Sequence, residues 1–245
     1  MDELKWCIDY LSKYNHINKL LNVYDFNTFR ALMNITTPYS LSDEYYKYQD
    51  EIIKNELKKK DIIDVSTFND ISIYKGDIIS LKADVIVNAC NEKLLGCFSP
   101  LHNCIDNAIH SFAGLEMRRD LMEIMDKQNH DEENGKCKVT KGYNLNAKYV
   151  FHTVGPKIFG NVTKENENDL RNCYLSSLKM AIDMKLNSIV FPCISTGIYG
   201  YPKDLARDLA IKTVKEFLNE NNSNIKVIFN VFTDYDYKLY KEKLE

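Results

Sequence analysis

The sequence predicts a layered α/β domain, with helices on both faces of a largely parallel sheet and a helical extension in front of it. Three observations carry this. Short apolar runs rich in β-branched residues read as buried strands. Between them lie stretches with apolar residues at i, i+3, i+4 and i+7, the period of a helix with one buried face. Strands that alternate with helices in this way imply crossover connections and a layered sheet. Residues 1–65 show only the helical period.

Leu4, Cys7, Ile8 and Leu11 recur at helical spacing and predict a first helix. A second is expected around Asn27–Met33, with Phe26, Phe29, Leu32 and Met33 inward, broken by the Pro38 segment. Ser42 offers an N-cap, and Asp43 and Glu44 complement the dipole of a third helix reaching about Lys60. Lys58, Lys59 and Lys60 then read as its solvated, cation-favouring end. From Ile71 the pattern changes. Ile71, Ile73 and Tyr74 form a short strand and Asp84–Ala89 a second, mostly apolar one. Ile105, Ala108, Ile109 and Phe112 mark a helix that Gly114 ends, and Leu115–Met125 continues as another. Val139-Thr140 and Tyr149–Val154 are strands, and Leu170 to Ala181 carries a helical stripe. Ser188–Phe191 is a buried strand. Leu205, Leu209, Val214 and Phe217 mark a helix, Ile225–Phe232 a strand, and Tyr237 and Tyr240 sit on a last helix. The division expected is 1–65 for the extension and 66–245 for the domain.

A chain of 245 residues can bury a full core, and 44% apolar with 27% charged residues is ordinary for a globular protein. A net charge of −3 argues against a general nucleic-acid binder. No apolar run approaches the roughly 20 residues that span a bilayer, and the first residues lack a signal-peptide pattern. The expectation is a cytoplasmic monomer with neither a nucleic-acid nor a membrane partner. Seven cysteines without an even framework of spacings point away from disulfides.

Chemistry concentrates after the Asp84–Ala89 strand. Cys97, His102 and Cys104 are spaced Cys, four residues, His, one residue, Cys, and can take three corners of a tetrahedron around Zn²⁺. A fourth position left for water or substrate is what a catalytic zinc site needs. The alternative reading makes both cysteines small buried hydrophobes and His102 a surface residue. Asp106, at the start of the next helix, could accept a ligand-histidine N–H or act on bound water; it could equally only complement the helix dipole. His110, one turn on, reads as a helix support. Asn88 and Asn91 flank the carboxyl end of a buried strand, where ligands sit in open α/β sheets and an amide can bind a sugar hydroxyl, unless they only form the turn. Cys193-Ile194-Ser195-Thr196-Gly197-Ile198-Tyr199-Gly200 is a glycine-punctuated turn between strand and helix. Its N–H groups, with the Ser195 and Thr196 hydroxyls, can cradle phosphate, with Tyr199 exposed; many such turns merely contain glycine.

Four segments in order resemble a macrodomain: Asp84-Val85-Ile86-Val87-Asn88-Ala89-Cys90-Asn91, the helix Ile105-Asp106-Asn107-Ala108-Ile109-His110, the strand His152-Thr153-Val154-Gly155-Pro156, and the loop Ser195-Thr196-Gly197-Ile198-Tyr199-Gly200-Tyr201-Pro202. The segment Gly96 to Cys104, in place of a glycine run, is similar to the zinc-dependent macrodomain hydrolases. Leu32-Met33-Asn34-Ile35, Leu41-Ser42-Asp43-Glu44 and Gln49-Asp50-Glu51 look like that group's amino-terminal extension. The resemblance implies a three-layer α/β/α fold with a mixed central sheet that binds ADP-ribose. It implies that Asp77 and Ile78 contact adenine, with Phe232 on the same side. Asn91 would hold the distal ribose, Ser195, Thr196, Gly197, Ile198 and Tyr199 would wrap the diphosphate, and Cys97, His102 and Cys104 would bind zinc. Asp106 matches the acidic residue proposed as catalytic in related hydrolases. Cys90 stands where the family often has Ala, and Asn107 where many relatives have Gly. The implied function is a zinc-dependent protein ADP-ribosyl hydrolase that removes mono-ADP-ribose from modified side chains, acidic and O-linked, with Asp106 and Asn91 as catalytic residues and the modified protein as partner. The alternative is a non-catalytic ADP-ribose-binding module with a structural zinc.

Overall fold

The structure is a computed structural model that describes residues 2–17 and 22–244; Met1, residues 18–21 and Glu245 of the two expected segments lie outside them. The extension forms α1 (Glu3–Tyr14), α2 (Phe26–Ile35) and α3 (Asp43–Leu57). Each starts on a side-chain oxygen that takes a first-turn N–H: Asp2 from Lys5, Asp25 from Thr28 and the expected Ser42 from Tyr45. The stripes Cys7, Ile8, Leu11 and Phe29, Leu32, Met33 are buried as their spacing requires. Two expectations fail here. α3 stops at Leu57, and Lys60 is not a solvated helix end: its Nζ lies 2.8 Å from Asp77 Oδ2, with the side chain half-buried. A short strand, β1 (Ile63–Asp64), falls inside the segment expected to be wholly helical. Two residues cannot show an alternation, so no sequence pattern could have marked it.

The remaining strands are β2 (Ile71–Lys75), β3 (Leu81–Cys90), β4 (Cys137–Lys141), β5 (Ala147–Val154), β6 (Ser188–Phe191) and β7 (Lys226–Val231). They lie in the order β2-β7-β6-β3-β5-β4, with β1 paired to β3. Every pair is parallel except β4 with β5, so the sheet is mixed. The helices that follow are α4 (Ile105–Ala113), α5 (Leu115–Gln128), α6 (Lys164–Asp183), α7 (Lys203–Glu220) and α8 (Asp234–Leu244).

Alternation along the strands divides the interior in two. Ile86, Cys90, Val150, Val190 and Ile228 join Ile109 and Leu121 of α4 and α5 and the buried stripes of α1 to α3. Their neighbours Val85, Val87, Phe151, Ile189, Phe191 and Phe229 pack with Tyr174, Val214 and Tyr240 of α6, α7 and α8. Helices thus cover both faces, giving the three-layer fold, and the extension shares the first core rather than building its own. No helix among the described residues is long and apolar enough to cross a membrane. The parallel strands β3, β5, β6 and β7 deliver their carboxyl ends to one edge, and the segments singled out in the sequence gather there.

Candidate functional site

Asp106 sits in the first turn of α4 and is buried. Its Oδ1 accepts the Asn88 amide at 2.8 Å. The same amide nitrogen lies 3.3 Å from His152 Nδ1, whose Nε2 is 2.9 Å from Thr140 Oγ1. Burial pushes the Asp106 carboxyl up to about 6, while the Asn88 amide and the Arg118 guanidinium favour its charged form. Burial holds His152 down at about 3, a neutral imidazole at physiological pH. His110 Nε2 lies 3.5 Å from Asp106 Oδ1 without hydrogen-bond geometry, so both ring nitrogens are buried without a partner. The ring packs instead on Gly96, where a Cβ would come within 2.9 Å of it. Asn88 is fully buried, and its carbonyl oxygen has no partner.

The cysteine–histidine loop closes over this group. Cys97, His102 and Cys104 are all half-buried and each brings one ligand atom, these atoms lying within 4.8 Å of one another. Cys97 Sγ and His102 Nδ1 are 3.7 Å apart. Tetrahedral zinc at the usual Zn–S and Zn–N lengths needs ligand–ligand edges of about 3.5–3.8 Å, so this edge matches such an ion and the donor types of all three residues suit it. No fourth His, Cys, Asp or Glu among the described residues joins it, Asp106 included. Cys104 is also the N-cap of α4, its Sγ accepting the Asn107 N–H at 3.4 Å. Burial pushes its thiol up to about 12 although that N–H favours the thiolate, so without a cation it stays protonated and unreactive at neutral pH.

Several expected ligand contacts are occupied within the protein. Asn91 donates to Gly96 O at 3.2 Å and accepts Lys93 N at 3.0 Å, which ties the loop. Asp77 caps the turn before β3 through Ile79 N at 3.0 Å and pairs with Lys60, and Ile78 is buried. Phe232 is 78% exposed, at the end of β7. In the turn after β6, Ser195 has the left-handed φ of +63° and a buried hydroxyl without a partner. A Cβ at Gly155 would lie 2.1 Å from that hydroxyl oxygen, so the close approach requires glycine there. The Thr196 hydroxyl is turned inward to Cys193 O at 2.9 Å rather than outward. Gly197 has open space where a side chain would be, and Ile198 is 84% exposed. Among the described residues no acceptor takes the N–H of Gly197, Ile198 or Tyr199, whereas Gly200 N closes the turn on Gly197 O at 3.0 Å. The expected exposure of Tyr199 is not met. Its ring is half-buried with Lys157 Nζ 5.1 Å from the centroid, and its hydroxyl is buried without a partner.

Sequence reasoning missed Arg30, Asn34 and Arg118. Arg30 Nη2 donates to Asn107 Oδ1 at 2.7 Å, Asn34 Oδ1 accepts Leu101 N at 2.9 Å, and Arg118 donates to three carbonyls at the end of α2. A signal existed: Arg30 with Asn34, and Asn107 with Ser111, are polar pairs at i, i+4 on their helices.

Comparison with known proteins agrees with this geometry. Residues 87–210 match the family described as Macro domain. A protein of Staphylococcus aureus (strain COL) named Protein-ADP-ribose hydrolase is 46% identical over 220 residues, 87% of this chain and 82% of that protein. Among solved structures, a Trypanosoma brucei macrodomain in complex with ADP-ribose superposes with a TM-score of 0.68 at 29% identity, covering 88% of this chain and 95% of that one. An Oceanobacillus iheyensis macrodomain with ADP gives 0.64 at 36% identity, covering 70% and 88%. With its mixed sheet, its site at the strand ends and these likenesses, the chain belongs to the Macro domain family.

Proposed function

We propose that the protein hydrolyses the bond between the anomeric carbon of a protein-linked ADP-ribose and a side-chain oxygen, an acidic ester, and that the reaction depends on zinc. The observation that carries this is the buried Asp106, held by Asn88 and set in the first turn of α4, two residues beyond the last member of a three-ligand Cys–His loop. The 46% identity to a protein named as a protein-ADP-ribose hydrolase supports the hydrolase part of this reading. In this reading the free N–H groups of Gly197, Ile198 and Tyr199 bind the diphosphate, as a turn with unpaired donors does for anions. Binding energy from that distant end orients the reacting carbon. Phe232 covers the adenine, and Asp77 and Ile78 line its side. Asp77 can meet the adenine amine only by sharing its carboxylate with Lys60. Asn91 holds the loop edge beside the distal ribose. Asn88 fixes one oxygen of Asp106, and the other takes no hydrogen bond from the described residues. That second oxygen positions the attacking water and accepts its proton as the water oxygen bonds to the anomeric carbon and the side-chain oxygen leaves. Cys97, His102 and Cys104 would hold the zinc, which when bound supplies Lewis acidity beside the ribose.

A release assay tests this. Substrates carry ADP-ribose on acidic, serine or arginine side chains, with and without chelator. Release is expected from the acidic linkage, and it is expected to be lost with chelator and in Cys104→Ala. Full release by zinc-free Cys104→Ala would end the metal part. ADP-ribose binding with no release from any substrate would leave a binding module.

A further inference from the structure

We propose that Arg30 and Asn34 of α2 are positioning residues for the cysteine–histidine loop, so that the extension is a working part of the site; this rests on Cys97, His102 and Cys104 being the metal ligands. The chain of contacts reaches the backbone of Cys97, the backbone of the residue before His102, and the Sγ of Cys104. Arg30 Nη2 donates to Asn107 Oδ1 at 2.7 Å, and Arg30 Nε to Ser111 Oγ at 3.0 Å. The Asn107 amide, fully buried, is thereby held with its nitrogen toward the loop, where it donates to Ser99 O at 3.0 Å and Cys97 O at 3.5 Å. The backbone N–H of the same residue meets Cys104 Sγ at 3.4 Å. Asn34, also buried, donates to Ser111 Oγ at 3.0 Å and accepts Leu101 N, the neighbour of His102.

Three details of the loop point the same way. Leu101 has a φ of +56°, a left-handed conformation that a branched residue keeps only when its surroundings impose it. The Asn34 oxygen is what holds its N–H. The bond from Arg30 is charge-assisted and lands on the oxygen of the amide whose nitrogen grips the loop. Polarising that amide strengthens its donation to the carbonyls beyond. Phe98, between Cys97 and Ser99, lies with its ring centroid 4.5 Å from the Arg118 guanidinium, which in turn binds the end of α2. Groups that orient metal ligands from behind typically change affinity by about 10–100-fold when removed.

The test measures zinc affinity by chelator competition, together with amide hydrogen exchange across residues 96–104 in both zinc-loaded and metal-free protein. Arg30→Met is expected to weaken zinc by about 10–100-fold and to speed exchange in that loop. Arg30→Lys, which keeps the charge but loses the fork, should recover part of both. Asn27→Ala, exposed on the same helix, should match the wild type. Asn34→Ala gives a second route to the same result. Wild-type affinity and loop exchange in both Arg30→Met and Asn34→Ala would overturn the proposal, as would faster exchange spread evenly over the whole chain. If the wild type takes up no zinc, the metal reading falls, and the metal-free exchange comparison still decides whether α2 braces the loop.

Discussion

Arg118 allows a prediction in which two opposing effects must be weighed. Its guanidinium is 1% exposed, and burial brings its pKa down to about 10 while Asp106 favours the charged form, so it is still a cation at neutral pH. Its Nη1 donates to Met33 O at 2.9 Å, Asn34 O at 3.0 Å and Thr36 O at 2.6 Å at the end of α2, and the last two have no other partner among the described residues. Replacing it with Met removes a dehydrated charge, a gain of several kcal/mol on the order usual for buried ions. The same change strands two buried carbonyls, Asn34 O and Thr36 O, at about 1–3 kcal/mol each, Met33 O keeping the Thr36 N–H at 3.2 Å, and removes a dehydrated cation–π contact with Phe98 of about 2 kcal/mol. The carbonyl loss wins, and Arg118→Met is expected to destabilise the protein by about 3 kcal/mol, a fall in Tm of roughly 6–12 °C for a chain of this size. Urea denaturation read by tyrosine and tryptophan fluorescence measures the first figure and a thermal scan the second. An unchanged or raised stability would refute the reasoning, because it would mean that the charge was the larger burden and the carbonyls find other partners.

Other outcomes follow from the same contacts. Cys104 caps α4 and, in the proposed reading, binds zinc, and substitution can separate the two: Cys104→Ser keeps an N-cap and should leave α4 intact while abolishing zinc uptake, whereas Cys104→Ala should lose zinc and a further ~1 kcal/mol of stability, read by metal analysis and denaturation. Asp106→Asn is expected to lower turnover by about 10²–10⁴-fold while ADP-ribose affinity, measured by calorimetry, stays within twofold of wild type (roughly 0.4 kcal/mol). Gly155→Ala drives a methyl into the Ser195 hydroxyl and the Ile194 side chain, and the overpacking, about 1–3 kcal/mol, should appear as weaker ADP-ribose binding. Asp84 is resisted by burial, but the Lys148 ammonium and the Asn187 N–H outweigh that and hold its carboxyl below the ordinary 3.8. Its contribution to stability is therefore complete above pH 3.8 and lost as pH falls through the lower folded value. Asp84→Asn should flatten the acid limb of the stability–pH curve below pH 4 and leave its shape at neutral pH unchanged.

The sheet and the candidate site are legible in the sequence to different depths. Ser188–Phe191 is a strand with the predicted ends because four consecutive buried residues leave no other period to fit. Cys97, His102 and Cys104 are linked in the sequence by residue type and close spacing, and the loop brings their ligand atoms within 4.8 Å of one another. What local pattern cannot carry is partnership at a distance. Asn88 joins Asp106 across 18 positions and His152 across 64, and Arg30 meets Asn107 across 77. Lys60 looked like a solvated helix end because nothing near it in the chain announces Asp77. Tyr199 looked exposed because two glycines flank it, yet the neighbouring segment lies against it, with Ile158 N donating to Tyr199 O at 2.8 Å.

Gly114 has a wider reach than its size suggests. Its N–H ends α4 on His110 O at 3.2 Å, it opens α5 one residue later, and its φ is +106°. A methyl there would stand 2.6 Å from the Gln49 amide of α3. The elbow between the helix that carries Asp106 and the helix that carries Arg118 is thus set by one backbone torsion. Drift within a lineage that left every side chain at the strand ends unaltered would still retune the separation of those opposite charges by bending this joint.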